Sequence, residues 1–304
     1  MNSLLSLQNV SKSLGFHFWQ KKKDVLKDIS LNIESNEIMG LVGHNGAGKT
    51  TLFKIIVGFM KADRGAVHFS SHFGQDPRFR IGFLPESPYF YSHLSARECL
   101  GLYISLFGMS LKDSTILIEN SLNEVGLQDH SNALLRSYSK GMLQRFGIAQ
   151  ALLNDPELLI LDEPMSGLDP EGRRDMRSVI MNRAERGKAV VFSSHILSDV
   201  EDICDRVVVL KGGEIVQILS NEETNRYRSW IVEFRGEIPR HDLQMPMFKS
   251  AQTLKHGGYR LTLSTIDDVN MVLKVIINSG GRIEDVKEMY SSLETLLLPG
   301  ECKR

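Results

Sequence analysis

Eight consecutive residues, Gly43-His44-Asn45-Gly46-Ala47-Gly48-Lys49-Thr50, place glycines, an ammonium and a hydroxyl in one short stretch. Glycines let a backbone wrap closely round an anion, with successive N–H groups pointing inward at the start of a helix. Lys49 would then reach the β- and γ-phosphates of a nucleoside triphosphate, and the Thr50 hydroxyl would sit on Mg²⁺. The pattern means this only between a strand and a helix. The apolar run 38–42 before it and the helix-compatible stretch from Thr51 to residue 59 supply that context. Without them, a Gly-rich turn before a helix is the plain alternative.

Such a loop needs a second strand to deliver an acidic group to the Mg²⁺ shell. Leu158-Leu159-Ile160-Leu161-Asp162-Glu163-Pro164 is a continuous apolar run ending in carboxylates, the texture of a strand buried on both faces of a parallel sheet. Asp162 fits the Mg²⁺ shell through a water, and Glu163 fits a general base that polarises the attacking water. Alone, Asp-Glu after a strand more often starts a loop or caps a helix. The run 189–192 is another buried strand, and it leads to Ser193-Ser194-His195. A lone histidine at a strand end is ordinarily a hydrogen-bonded structural residue.

These residues need a scaffold, and the rest of the chain supplies one. Its 304 residues suggest two domains, or one large domain with an appendage. With 42% hydrophobic and 24% charged residues and a net charge of −1, nothing marks a nucleic-acid footprint. Cys99, Cys204 and Cys302 are far apart and form no C-x-x-C, so neither a zinc site nor a disulfide framework is indicated, which suits a reducing cytoplasm. No apolar run approaches the roughly 18–20 residues that span a bilayer. Residues 1–10 lack the basic region and apolar core of a signal peptide, so any membrane has to come from another chain.

Strands are predicted at 4–10 and 25–33, with Phe16, Phe18, Trp19 and Lys21-Lys22-Lys23 on the loop between them. The lysines suit a solvated hairpin loop; the aromatics suit either stacking on adenine or partial burial. Further strands are predicted at 65–70 and 80–84. Ser95-Ala96-Arg97-Glu98 is a capping box that opens a helix, a second helix covers 114–125, and Ser139 caps a third that runs to residue 153. A polar helix over 172–186 and a hairpin of 206–210 with 214–218 follow. Beyond residue 221 the texture changes. A strand is predicted at Trp230, Val232 and Phe234, irregular chain at 239–247, a strand at 259–263, an amphipathic helix at 266–279, and short elements at 283–286 and 292–298.

Ser139-Lys140-Gly141-Met142-Leu143-Gln144-Arg145 resembles the signature of the ATP-binding-cassette (ABC) ATPases, in which Ser-Gly-Gly-Gln is commonest. It precedes Leu161-Asp162-Glu163-Pro164 as in that family; Ser166-Gly167-Leu168-Asp169 is similar to the family's D-loop, and His195 to its switch histidine. The resemblance covers residues 4–220. It implies an α/β fold, a P-loop NTPase of ABC type with a mixed or parallel sheet core, an antiparallel N-terminal β subdomain and a helical subdomain at about 87–155. Domain boundaries are placed at 1–220 for the ATPase and 221–304 for a small α+β accessory domain.

The resemblance also implies roles. ATP and Mg²⁺ are the cofactors. Glu163, His195 and Lys49 carry catalysis, residues 43–51 hold the nucleotide, and Thr50, Glu86 and Asp162 face the metal. Ser139 and the backbone N–H groups of Lys140 and Gly141 meet a γ-phosphate held by the opposite subunit. Two chains are therefore needed, as a homodimer or as a heterodimer with a related cassette. Lys140 departs from the usual glycine, Glu86 stands where many members have glutamine, and Leu14 stands where an adenine-stacking aromatic is usual. Glu86 and the segment Ser292-Leu293-Glu294-Thr295-Leu296 resemble the branch serving ABC-2-type exporters. That implies a cytoplasmic subunit, peripheral on the inner face of the cell membrane, whose partner is a separate membrane permease. The permease would dock near residues 85–102, where Tyr89, Phe90 and Tyr91 are either exposed contacts or core. The alternative is a soluble cassette ATPase acting on ribosomes or DNA. Such members commonly carry two cassettes or a long coiled-coil insertion, and this sequence has neither.

Overall fold

The structure, a computed structural model, describes residues 3–15, 22–74, 76–109, 111–196, 198–201, 203–220, 223, 228–236, 248–254 and 258–290. Ser3–Leu14 (β1) and Lys23–Glu34 (β2) pair antiparallel, and Leu5, Leu7, Leu31 and Ile33 are all buried. A side-chain period of two puts that apolar set on one face, which fixes the register. Ile38–Val42 (β3) is buried at every position, and Lys49–Ile56 (α1) follows it. Arg64–Phe69 (β4) returns to β1 and completes a sheet ordered β2-β1-β4.

Ile81–Leu84 (β5) is followed by three helices, Ala96–Leu106 (α2), Leu111–Glu124 (α3) and Lys140–Ala151 (α4). The Ser95 capping box is present, with Ser95 Oγ accepting from the Glu98 N–H and the Glu98 carboxylate accepting from the Ser95 N–H. Helix α3 begins three residues before the predicted start at Ser114, because nothing in Leu111-Lys112-Asp113 breaks a helix. Phe146 of α4 is fully buried and meets Phe90 and Tyr138 edge to face, with ring centroids 4.9 and 6.3 Å away. Phe146→Ala should lower the unfolding free energy by about 3–5 kcal/mol, read from the denaturant midpoint. A loss under about 1 kcal/mol would mean that the surroundings collapse into the space.

Leu158–Leu161 (β6), Pro170–Glu185 (α5), Ala189–Ser194 (β7), the short helix Ser198–Glu201 (α6), Arg206–Lys211 (β8) and Glu214–Ser220 (β9) complete the first unit. Its main sheet is ordered β5-β6-β7-β3-β8-β9, and the strands from β5 to β8 are mutually parallel. Helix α5 starts at Pro170, two residues earlier than predicted, since Asp169 accepts from the Gly172 N–H as N-cap and proline is favoured in the first turn. Strand β7 runs two residues past the predicted end because Ser193 and Ser194 bury hydroxyls that find partners.

Two compact units divide at residues 218 and 219. In the second, Arg228–Arg235 (β10), Phe248–Thr253 (β11), Tyr259–Leu263 (β12) and Arg282–Tyr290 (β13) form an antiparallel sheet ordered β11-β12-β10-β13. Ile266–Asn278 (α7), opened by a Thr265 capping box, packs Val269, Val272 and Ile276 in one core with Val232, Phe234, Leu261 and Leu263. Strand β11 was not anticipated, because Lys249, Ser250 and Gln252 interrupt any apolar alternation. Among the described residues no helix is long and apolar enough to cross a membrane. Phe16, Phe18, Trp19, Lys21, the irregular stretch 239–247, the segment 292–298 and Cys302 lie outside the described residues.

Candidate functional site

Parallel order decides what meets. The carboxyl ends of β5, β6, β7 and β3 lie along one edge of the sheet, and β7 sits between β6 and β3. Open α/β sheets bind ligands outside the carboxyl ends of their strands, where the order reverses. The loop 43–48 leaves β3 at this edge and enters α1 at Lys49. Two of its glycines are structurally required. A Cβ on Gly43 would lie 2.4 Å from the Leu210 carbonyl oxygen; Gly48 has φ +113° and packs against Leu26 and the Val25 carbonyl. No side chain caps α1 and its first turn holds no acidic residue, so its N–H groups stay available to an anion.

Lys49 is only 6% exposed, and its ammonium donates to the Gly43 carbonyl at 2.6 Å. It also stands 3.0 Å from Glu163 Oε1, while Glu163 Oε2 is 2.7 Å from His195 Nδ1. Lys49, Glu163 and His195 thus form one chain of contacts across the ends of β3, β6 and β7. Glu163 adopts φ +51°, a left-handed conformation that costs a non-glycine residue about 1 kcal/mol or more. Ser193 supports this geometry. Its Oγ donates to Asp162 Oδ1 at 2.7 Å and accepts from the Glu163 N–H at 2.8 Å. The Asp162 N–H in turn donates to the Leu84 carbonyl at the end of β5, 2.8 Å away.

A cleft of about 360 Å³ opens here, lined by Val25, Asn45, Gly46, Ala47, Gly48, Lys49, Thr50, Thr51, Glu86 and Glu163. Of the other site candidates, Gly43 and His44 lie at the base of the loop, with His44 Nδ1 2.7 Å from the Asn45 carbonyl oxygen. Asp162 lies fully buried behind Glu163, and its Oδ2 has no hydrogen-bond partner. A buried carboxylate oxygen without a partner is costly, so the donor set of Asp162, Thr50 and Glu86 fits a hard cation with oxygen ligands. Among the described residues no three His, Cys, Asp or Glu side chains cluster to hold a metal, so phosphate oxygens would have to complete its shell.

Ser139, Lys140 and Gly141 are not brought into this cleft. They open α4, where Ser139 Oγ accepts from the Met142 N–H at 3.2 Å and Ser139 and Lys140 are exposed. Phe90 belongs to the core, whereas Tyr89 and Tyr91 are exposed. Sequence reasoning missed Val25, an apolar wall of the cleft, and Ser193. A hydroxyl inside the otherwise apolar run 189–192 and its continuation is the signal that points to Ser193.

Comparison with known proteins agrees with this geometry. The family model described as "ABC transporter" matches residues 26–166. An uncharacterised ABC transporter ATP-binding protein of Synechocystis is 44% identical over 296 residues, covering 94% of this chain and 81% of that protein. The bacitracin transport ATP-binding protein BcrA of Bacillus licheniformis is 36% identical over 240 residues, covering 77% of this chain and 76% of its own. Among solved structures, a dimeric ATP-binding cassette in a post-hydrolysis state with ADP and phosphate bound aligns with TM-score 0.64 at 26% identity, over 71% of this chain and 98% of that one. A phosphate loop, a strand-end Asp-Glu pair and a switch histidine on one parallel edge, in a chain so related, identify a member of the ABC transporter family, an ATP-binding subunit.

Proposed function

We propose that this chain is the ATP-hydrolysing subunit of an ABC-2-type exporter, working as a dimer on a separate membrane permease. The contact chain Lys49–Glu163–His195 carries the proposal, because it joins a phosphate ligand, a base and a γ-phosphate contact in one place. When ATP enters, the loop N–H groups of residues 45–50 take the phosphates and Lys49 exchanges Glu163 for them. Glu163 is then free to accept the proton of the attacking water, and His195 holds the γ-phosphate side. Thr50, Glu86 and Asp162 would hold Mg²⁺, which when bound neutralises charge on the β- and γ-oxygens. Ser139, Lys140 and Gly141, exposed at the start of α4, would close the site of a partner subunit. The two units would be an ATPase domain, with its helical subdomain at about 87–155, and an accessory domain from about residue 221.

The bacitracin transport relative and the dimeric cassette support export and the paired assembly. A groove of about 530 Å³ suits the permease contact. Phe59, Phe83, Pro85, Tyr89 and Phe107 line it, with Lys54 and Arg78 at its rim. Tyr103 also lines it; burial, with Cys99 beside it, pushes its hydroxyl up to about 12, so it stays an uncharged donor. The chain would then be peripheral on the inner face of the cell membrane. Tyr89→Glu should reduce co-purification with a membrane-spanning subunit at least tenfold and leave ATP-driven dimerisation within twofold. Recovery with ribosomes or DNA, and with no membrane protein from either variant, would overturn the transport assignment.

A further inference from the structure

Asp199 in α6 is a carboxylate only 2% exposed, and the chemistry above gives it no task. Its two oxygens face different parts of the site. Oδ1 accepts from Arg173 Nη1 at 2.9 Å, with Arg177 Nη2 3.9 Å away. Oδ2 accepts from Ser194 Oγ at 3.1 Å. Ser194 Oγ also accepts from the Ile196 N–H at 2.9 Å and donates to the Ile196 carbonyl at 3.0 Å, so it pins both sides of the turn that carries His195. On the other side, Arg173 Nε donates to the Leu168 carbonyl at 3.4 Å, inside the segment 166–169. That segment touches the start of α4: a Cβ on Gly167 would lie 2.1 Å from Lys140 Nζ, and one on Gly141 would lie 3.6 Å from Leu168 Cδ2.

A buried carboxylate between arginines is ordinarily structural. Here, however, one oxygen serves the helix behind segment 166–169 and the other serves the His195 turn. We propose that Asp199 is a positioning residue that ties the His195 turn to segment 166–169, so that His195 reaches its place on Glu163 only when that segment is in register. Because the same segment lies against Lys140 and Gly141, the start of α4 and the hydrolytic histidine of one chain are mechanically linked. Closure of α4 on a partner's nucleotide then adjusts the base in its own site. Contiguity alone does not prove coupling, so the test has to measure it.

The inference rests on the assignment of His195 to hydrolysis, and one set of full-length variants separates the two. Asp199→Asn keeps the shape and the Ser194 hydrogen bond but removes the charge that holds Arg173. Arg173→Gln, at a part-exposed position, removes the link from its other end. Each should lower kcat at least tenfold, with ATP affinity and the thermal midpoint near those of the parent. Added to His195→Ala, Asp199→Asn should cost less than a further twofold, because residues that act as one unit are not additive. If Asp199→Asn does not fold, Arg173→Gln alone and with His195→Ala is read by the same criteria. Turnover within twofold of the parent, or a loss that multiplies onto that of His195→Ala, would overturn the link while leaving His195 in place. Unchanged turnover in His195→Ala itself would overturn both.

Discussion

Glu163→Gln is expected to cut ATP turnover by about 10²–10⁴-fold, the usual contribution of a positioned general base. ATP binding should survive, and it should even tighten. In the nucleotide-free chain the Lys49 ammonium is engaged by Glu163 Oε1 at 3.0 Å, and both side chains are nearly closed off from water. Incoming phosphate has to displace that carboxylate, and the glutamine amide is a weaker competitor for the cation. The variant therefore separates two consequences of one contact: loss of the base slows chemistry, and loss of the resting ion pair favours the nucleotide. Single-turnover kinetics with equilibrium ATP binding, and the dimer fraction by size exclusion with ATP, measure all three. A chain that binds ATP, stays dimeric and does not turn over is the expected outcome. Unchanged turnover would remove Glu163 as the base.

Much of the scaffold was legible because burial on both faces of a parallel strand leaves an unmistakable texture. The apolar runs of β3, β6 and β7 appear in the sequence as continuous blocks, and their buried positions confirm why. Adjacency was not legible in that way. Glu163 and His195 stand 32 residues apart, and they touch because β6 and β7 are parallel neighbours, which no local pattern announces. The left-handed backbone at Glu163 is equally silent, since a glutamate gives no hint of positive φ. Strand β11 was hidden because polar side chains break its alternation, and the start of α3 was hidden because the serine that looked like a cap sits inside the helix. Ser193 and Asp199 were missed for a common reason. Each works only through partners brought by other elements, and a residue's type alone does not reveal whom it meets.

Lys49→Ala should abolish ATP binding at concentrations that saturate the parent, and with it ATP-driven dimerisation. Hydrogen bonds to charged groups are worth about 1.5–3 kcal/mol each, so losing the ammonium from two phosphates weakens binding by about 10²–10⁴-fold. The same substitution has a second effect that must be told apart from the first. It leaves the Glu163 carboxylate, 7% exposed, without its cation, and breaking one side of a buried pair typically costs about 3–5 kcal/mol. His195 Nδ1 at 2.7 Å relieves part of that cost only when the ring is protonated or presents an N–H there. Lost binding in Lys49→Ala would therefore have two explanations, a missing phosphate ligand or a loosened site. Combining Lys49→Ala with Glu163→Gln distinguishes them, because the neutral amide removes the unpaired charge. The thermal midpoint should recover towards that of the parent, while binding and dimerisation stay lost. If binding returned together with stability, Lys49 would be a structural counter-ion to Glu163, and the phosphates would be held by the loop N–H groups alone.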